Sequence, residues 1–317
     1  MGYRSKKNAQ NTLKQNLLRW GIIALCVLIA ALCTFSAFVP AESWKYHLSL
    51  PKVSLRAEGE LRVHYLDAKS GACTLLELPD GKTVLVGGGA DDGEAKKNVL
   101  RFLNALKIKR IDAVVVPDVS SRGVGVLREL AQYYSLGAAY LPKKEGTNAV
   151  YTAFLADLDR KDVPRYTASF STLWENEEGC LRILYPLADD YSLEEVVLTL
   201  RYQGVEVLLG ARLGKDVYQA LKTEKSLGYL EKWGIILGKF DVVQAPPDVD
   251  ALALTSFAET FACKAAIFPC RGGASDRPNE ECLQALSACG VATYRTDLHG
   301  FITLTISNGS YSIQTQK

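Results

Sequence analysis

Ile111-Asp112-Ala113-Val114-Val115-Val116-Pro117-Asp118-Val119-Ser120-Ser121-Arg122-Gly123-Val124-Gly125 is the stretch on which the fold of this 317-residue chain turns. Residues 111–116 are apolar except for Asp112, the pattern of a strand buried on both faces. Pro117 ends the run, and a polar loop then leads into a helical pattern that starts at Val124. A strand, a loop and a helix in this order form the repeating unit of a layered α/β protein. The loop contains no histidine.

Outward from this stretch, residues 61–66, 73–78 and 83–86 read as short strands. The last two are joined by the turn Pro79-Asp80-Gly81-Lys82. Residues 94–106 carry helical spacing at Val99, Leu100, Leu103 and Leu106. Further helices are expected over 124–134, 148–159, 216–221, 226–233, 251–262 and 280–289. Strands are expected over 139–141, 181–185, 196–202, 205–209, 241–244, 265–268 and 292–295. A hairpin at 301–306 and 311–314 closes around Asn308-Gly309, a strong turn signal. The alternation predicts an α/β fold in which sheets are covered by helices.

Arg4, Lys6, Lys7, Lys14 and Arg19 precede an uncharged run over 20–39. About 20 apolar residues suffice to cross a ~30 Å hydrocarbon layer as a helix. The chain therefore divides into a basic tail at 1–19, a transmembrane anchor at 20–39, a polar stalk at 40–60 and one large domain at 61–317. Positive charge on the N-terminal flank places the tail in the cytoplasm and the domain outside the cell membrane. The competing reading is a cleaved signal peptide, whose apolar core is usually only ~7–15 residues long. Those five bases are the only charged residues before Glu42, so the remainder is slightly acidic. That balance argues against nucleic acid as a partner, because non-specific binding rests on Lys and Arg at phosphates. Cys73, Cys180, Cys263, Cys270, Cys282 and Cys289 show no C-x-x-C spacing of a zinc site. They read as small buried thiols, with a cross pair between the 263/270 and 282/289 sets as the alternative.

Four stretches carry a resemblance. Residues 61–79 (LRVHYLDAKSGACTLLELP) are similar to "hFLDVGQGDATLIELP", and 81–89 (GKTVLVGGG) to "GKTVLIDGG". Residues 107–130 (KIKRIDAVVVPDVSSRGVGVLREL) are similar to "GIKRIDALVLTHPHADHIGGLPEL", and 294–304 (YRTDLHGFITL) to "YRTDLNGTITV". In this order they resemble the metallo-β-lactamase superfamily, in particular the extracytoplasmic C-terminal domain of ComEC-type DNA-uptake proteins. The resemblance implies an αββα four-layer sandwich with its site at the rim between two sheets. In that family two zinc or manganese ions, about 3.5–4 Å apart, are held by imidazole and carboxylate ligands.

The ligand positions are filled differently here. The acid of the opening motif falls on Ala72, in Lys69-Ser70-Gly71-Ala72, and the aspartate of "LIDGG" on Gly87. The loop histidines fall on Asp118, Ser120 and Gly123, and the loop aspartate on Arg122. The bridging aspartate falls on Arg212, and the late histidine loop on Ala245–Asp250, including Pro247 and Asp248. Arginine stays protonated and cannot ligate a cation. The positions of the degenerate site are thus Asp118, Ser120, Arg122, Gly123, Arg212, Pro247 and Asp248, with no catalytic residue and no metal cofactor expected. Asp118 and Arg122, joined by Arg212 and Asp248, are expected to pair in the vacated cavity, because buried charges need partners; the alternative is four unrelated surface charges. His47, His64 and His299 lie outside the loop and read as packed or solvated. Gly272–Pro278 (GGASDRP) reads as a rim connector. The function expected is that of a membrane-anchored, extracytoplasmic pseudoenzyme that binds or scaffolds, with the membrane and an unidentified protein as partners. The alternative is a diverged hydrolase or nuclease linked to DNA uptake, its site rebuilt around Asp118, Asp248, Asp91 and Asp92.

Overall fold

The computed structural model describes residues 2–38, 44–47, 50–117, 119–143, 148–186, 196–210, 213–273 and 276–317. They fall into two units, 1–49 and 50–317. In the first, α1 (Gly2–Phe38) is one unbroken helix. Within it, the segment 16–36 has a mean hydropathy of 2.3 and none of its residues is buried. At 1.5 Å per residue this segment is long enough to cross a bilayer core. A short helix α2 (Trp44–His47) follows, with the Trp44 ring 5.5 Å from that of Phe35.

The second unit alternates strands and helices. Its first half holds β1 (Leu61–Tyr65), β2 (Thr74–Glu77), β3 (Thr83–Val86), α3 (Gly93–Ala105), β4 (Arg110–Val115), α4 (Leu127–Tyr133), β5 (Ser135–Leu141), α5 (Ala149–Arg160) and β6 (Arg165–Thr167). Its second half holds β7 (Ser171–Asn176), β8 (Gly179–Tyr185), β9 (Val197–Tyr202), β10 (Val205–Gly210), α6 (Lys215–Leu227), β11 (Val242–Gln244), α7 (Ala251–Thr260), β12 (Ala265–Phe268), α8 (Glu280–Ala288) and β13 (Ala292–Arg295). The short α9 (Thr296–His299) and the hairpin β14 (Ile302–Ser307) and β15 (Ser310–Thr315) close the chain. Two sheets form among the described residues, ordered β15-β14-β1-β2-β3-β4-β5-β6 and β13-β12-β11-β10-β9-β8-β7.

Strand periodicity explains the layering. Leu61, Val63 and Tyr65 of β1 point into the apolar layer between the sheets, with Val207 and Leu209 of β10 and Ile267 of β12. The alternate residues of the second sheet, Leu208, Ala266 and Phe268, pack outward against α6, α7 and α8 through Tyr218, Leu221, Phe257 and Leu286. On the outer face of the first sheet, Phe102 of α3 stacks against His64 and Phe301 at 5.2 and 4.5 Å. Both faces of both sheets are covered, which is the expected αββα sandwich. Asp92, Asn148, Asp250 and Asn279 cap α3, α5, α7 and α8 by accepting backbone N–H groups of the first turn.

Three departures from the sequence expectation have physical causes. The helix expected in two pieces at 216–221 and 226–233 is one helix, α6, ended by Gly228 in the left-handed region and followed by a 3-10 turn over Tyr229–Trp233. Glu224 lies on the buried face of α6, which interrupts the apolar spacing, and its carboxylate accepts the Leu230 N–H. β6 was missed because all three of its residues are exposed, so burial imprints no pattern on them. β7 was missed because it is an edge strand with only Trp174 buried. All eight cysteines are free, and Cys73, Cys263, Cys270 and Cys282 are buried.

His64 illustrates how the outer face of β1 is satisfied. Nε2 lies 3.1 Å from Glu77 Oε1 and Nδ1 lies 2.9 Å from Thr303 Oγ1. An ionised carboxylate only accepts, so Nε2–H donates to Glu77 and Nδ1 accepts the Thr303 hydroxyl. Burial pulls the imidazole below its ordinary value, against the upward pull of Glu77. The folded ring therefore stays neutral where the unfolded ring, with a pKa of about 6.5, would take up a proton. Stability from this group is present above the unfolded value and is lost as pH falls through it. The melting temperature of the full chain should fall between about pH 7.5 and 5, and His64→Gln should flatten that part of the profile. An unchanged slope in the variant contradicts this assignment.

Candidate functional site

β3, β4 and β5 are parallel, as are β10 to β13. β1 is antiparallel to β2, and β2 to β3, so β1 runs with the parallel set. The loops that follow β1, β3, β4, β11 and β12 consequently leave the sandwich at one rim. Between them is a cleft of about 230 Å³. The first sheet contributes Ser70, Gly71 and Ala72 from the β1–β2 turn, and Ser120, Ser121 and Arg122 from the β4–α4 loop. The second sheet contributes Pro246, Pro247 and Asp248 from the β11–α7 loop, and Asp276 from the β12–α8 loop.

Of the seven residues singled out in the sequence, Ser120, Arg122, Pro247 and Asp248 line this cleft. Gly123 lies directly behind it, buried, with its carbonyl accepting the Gly88 N–H at 2.7 Å. Asp118 and Arg212 lie outside the described residues, and so does the ion-pair cluster expected to include them. Arg122 and Asp248 are both exposed, and neither forms an ion pair with another described residue. Asp91 and Asp92 are engaged away from the cleft. Asp91 accepts from Lys96 Nζ at 2.7 Å, and Asp92 caps α3. Hydrogen bonds from the Ala95 and Glu94 amides hold the Asp92 carboxyl below its usual range, despite some burial.

The frame around the cleft is tight. A Cβ on residue 71 would lie 1.9 Å from the Arg122 carbonyl oxygen, and Gly71 has φ +85°. A Cβ on residue 87 would lie 2.3 Å from the Ala72 carbonyl oxygen, and Gly87 has φ +77°. Only glycine permits both the torsion and the approach. No side chain is accommodated at position 87. Among the described residues no three His, Cys, Asp or Glu side chains converge as a metal centre would require. His64 faces α3, and His299 Nδ1 lies 3.0 Å from the Arg295 N and O atoms. The described donor set does not fit a dinuclear centre.

Several site residues gave no distinctive signal in the sequence. Thr74 Oγ1 donates to Gln244 Oε1 at 2.9 Å, and Gln244 Nε2 donates to the Gly210 carbonyl at 3.0 Å. Thr74 and Gln244 are fully buried and link the two sheets immediately inside the rim. The one visible hint is a glutamine ending the apolar strand β11. Asp276, from the loop read as a connector, is buried in the cleft wall and accepts the Arg271 N–H at 3.2 Å. The Ser70 hydroxyl is buried without a hydrogen-bond partner.

No protein-family model matches this sequence, and no curated protein does. Solved structures do match the fold. The chain is similar to the metallo-β-lactamase fold protein YhfI from Bacillus subtilis, with a TM-score of 0.51 and 8% identity over 81% of this chain and 100% of that one. It is also similar to a variant of CmlA beta-hydroxylase, with a TM-score of 0.50 and 13% identity over 79% of this chain. This chain spans 55% of the length of that protein. The shared architecture is the metallo-β-lactamase fold, and at these identities the likeness concerns the fold alone.

Two substitutions test the frame. Gly87→Asp places a side chain against the Ala72 carbonyl and should lower stability by at least about 2 kcal/mol, from backbone strain and overpacking. Gln244→Leu strands the Thr74 hydroxyl and the Gly210 carbonyl and should lower it by about 2 kcal/mol. Urea unfolding followed by circular dichroism measures both, and wild-type midpoints in both variants would contradict the geometry.

Proposed function

We propose that this chain is a membrane-anchored, extracytoplasmic domain of metallo-β-lactamase fold that binds or scaffolds and does not hydrolyse. The observation that carries this reading is the filling of the rim cleft. Arg122 lines it where the family has a metal-facing aspartate, and Gly87 leaves no room for the carboxylate beside it. A guanidinium next to a divalent cation is repulsive at any accessible pH, so the substitution opposes a metal rather than merely omitting a ligand. The apolar segment 16–36, with Arg4, Lys6, Lys7, Lys14 and Arg19 before or at its N-terminal end, supports anchoring with the N-terminus in the cytoplasm. The resemblance of residues 61–79 and 107–130 to ComEC-type domains supports a role beside a DNA-uptake or envelope assembly, with a protein rather than nucleic acid as partner.

Metal analysis tests this reading. The full chain, purified in detergent and dialysed against zinc and manganese, should retain substoichiometric metal and leave bis(p-nitrophenyl) phosphate intact. Two metal equivalents per chain together with phosphodiester cleavage would establish the alternative, a diverged hydrolase. Orientation is tested separately. Protease added to intact cells should remove residues 50–317 and spare the basic tail, and protection of the domain contradicts the topology.

A further inference from the structure

The rim cleft separates charge by sheet. Arg122 belongs to the lip built on the first sheet, and Asp248 and Asp276 belong to the lip built on the second. Arg122 and Asp248 are not paired with each other or with any other described charge. Opposite charges that share a small cleft without meeting leave a gap whose best occupant carries the complementary pair. We propose that the cleft binds a small ampholyte, one molecule bearing a carboxylate and a protonated amine, of the size and chemistry of a free amino acid. This rests on the non-hydrolytic reading of the same site.

Each lip is shaped for its half of such a ligand. The Arg122 backbone is fixed on both sides. Its N–H donates to Ser120 Oγ at 3.3 Å, the Ser121 carbonyl accepts the Asp91 N–H at 3.0 Å, and the Gly123 carbonyl accepts the Gly88 N–H at 2.7 Å. The guanidinium presents a planar fork of donors that matches a carboxylate. Ser70, on the same lip, is 9% exposed and its hydroxyl has no partner. A buried donor left unmade is costly, and a carboxylate oxygen reached by a turn of the Ser70 rotor satisfies it. On the other lip, Asp248 follows Pro246-Pro247, whose rings fix the backbone torsions leading to it. Asp276 uses Oδ2 to accept the Arg271 N–H, which leaves Oδ1 for an ammonium. A volume of about 230 Å³ holds a molecule of amino-acid size.

The probes are alanine, which carries both charges, and acetate and methylamine, which carry one each. Isothermal titration of the full chain in detergent should give saturable alanine binding. Acetate and methylamine should each bind about tenfold or more weakly than alanine, the loss expected when one charge-assisted contact is absent. Arg122→Gln and Asp248→Asn should each weaken alanine by a similar factor. Both residues are exposed, so the melting temperatures of the variants should match that of the unsubstituted chain. Acetate binding as tightly as alanine, alanine binding unchanged in both variants, or no saturable heat with alanine overturns the proposal. Metal content measured on the same sample separates the failures. Two bound metals defeat the non-hydrolytic reading and this one with it, whereas a metal-free chain blind to alanine defeats this one alone.

Discussion

The Arg122 carbonyl oxygen lies 1.9 Å from where a Cβ on residue 71 would stand, and this contact governs the mouth of the sandwich. The β1–β2 turn closes onto the β4–α4 loop only because residue 71 is glycine. The same turn presses the Ala72 carbonyl against Gly87, so three loops of the first sheet behave as one rigid lip. Gly88, Gly89 and Asp91 then bond to Gly123, Gly125 and Ser121 across the loops, leaving few backbone donors at the lip to reorganise around a ligand. A site built this way fixes the backbone from which its side chains project. Its chemistry is therefore set by which side chains those are.

The second sheet supplies the opposing lip through β11 and β12. Gln244 ties that lip to the first sheet by bonding Thr74 across the interlayer and Gly210 along its own sheet. In a low-dielectric interior an amide bonded at both its oxygen and its nitrogen holds elements in register. Above it the charges divide, with a guanidinium on one lip and carboxylates on the other. The proposed ligand of mixed charge suits such a mouth better than a divalent cation does.

Much of this architecture could be read from the chain. Residues such as Leu61, Val63 and Tyr65 alternate cleanly because one face of β1 meets the second sheet, and the apolar run before Pro117 is covered on both faces. The signal failed where burial and polarity disagree. Glu224 sits on the buried face of α6, and the exposed β6 carries no periodicity at all. At the site, Ser120, Arg122, Pro247 and Asp248 lie in loops that follow recognisable strands, and those loops line the cleft. Gln244, Ser70 and Asp276 could not be placed from the sequence, because their roles depend on contacts between segments distant in sequence, such as Thr74 with Gln244. The close approaches at Gly71 and Gly87 were equally hidden, since a glycine in a loop gives no sign of what lies against it.

The proposed role requires a mouth that rejects paired cations. Crystals of the full chain grown with excess zinc, measured at the zinc absorption edge, address this directly. No anomalous peak should appear between Arg122 and Asp248. Two peaks there, separated by about 3.5–4 Å as in a working dinuclear site, would contradict it.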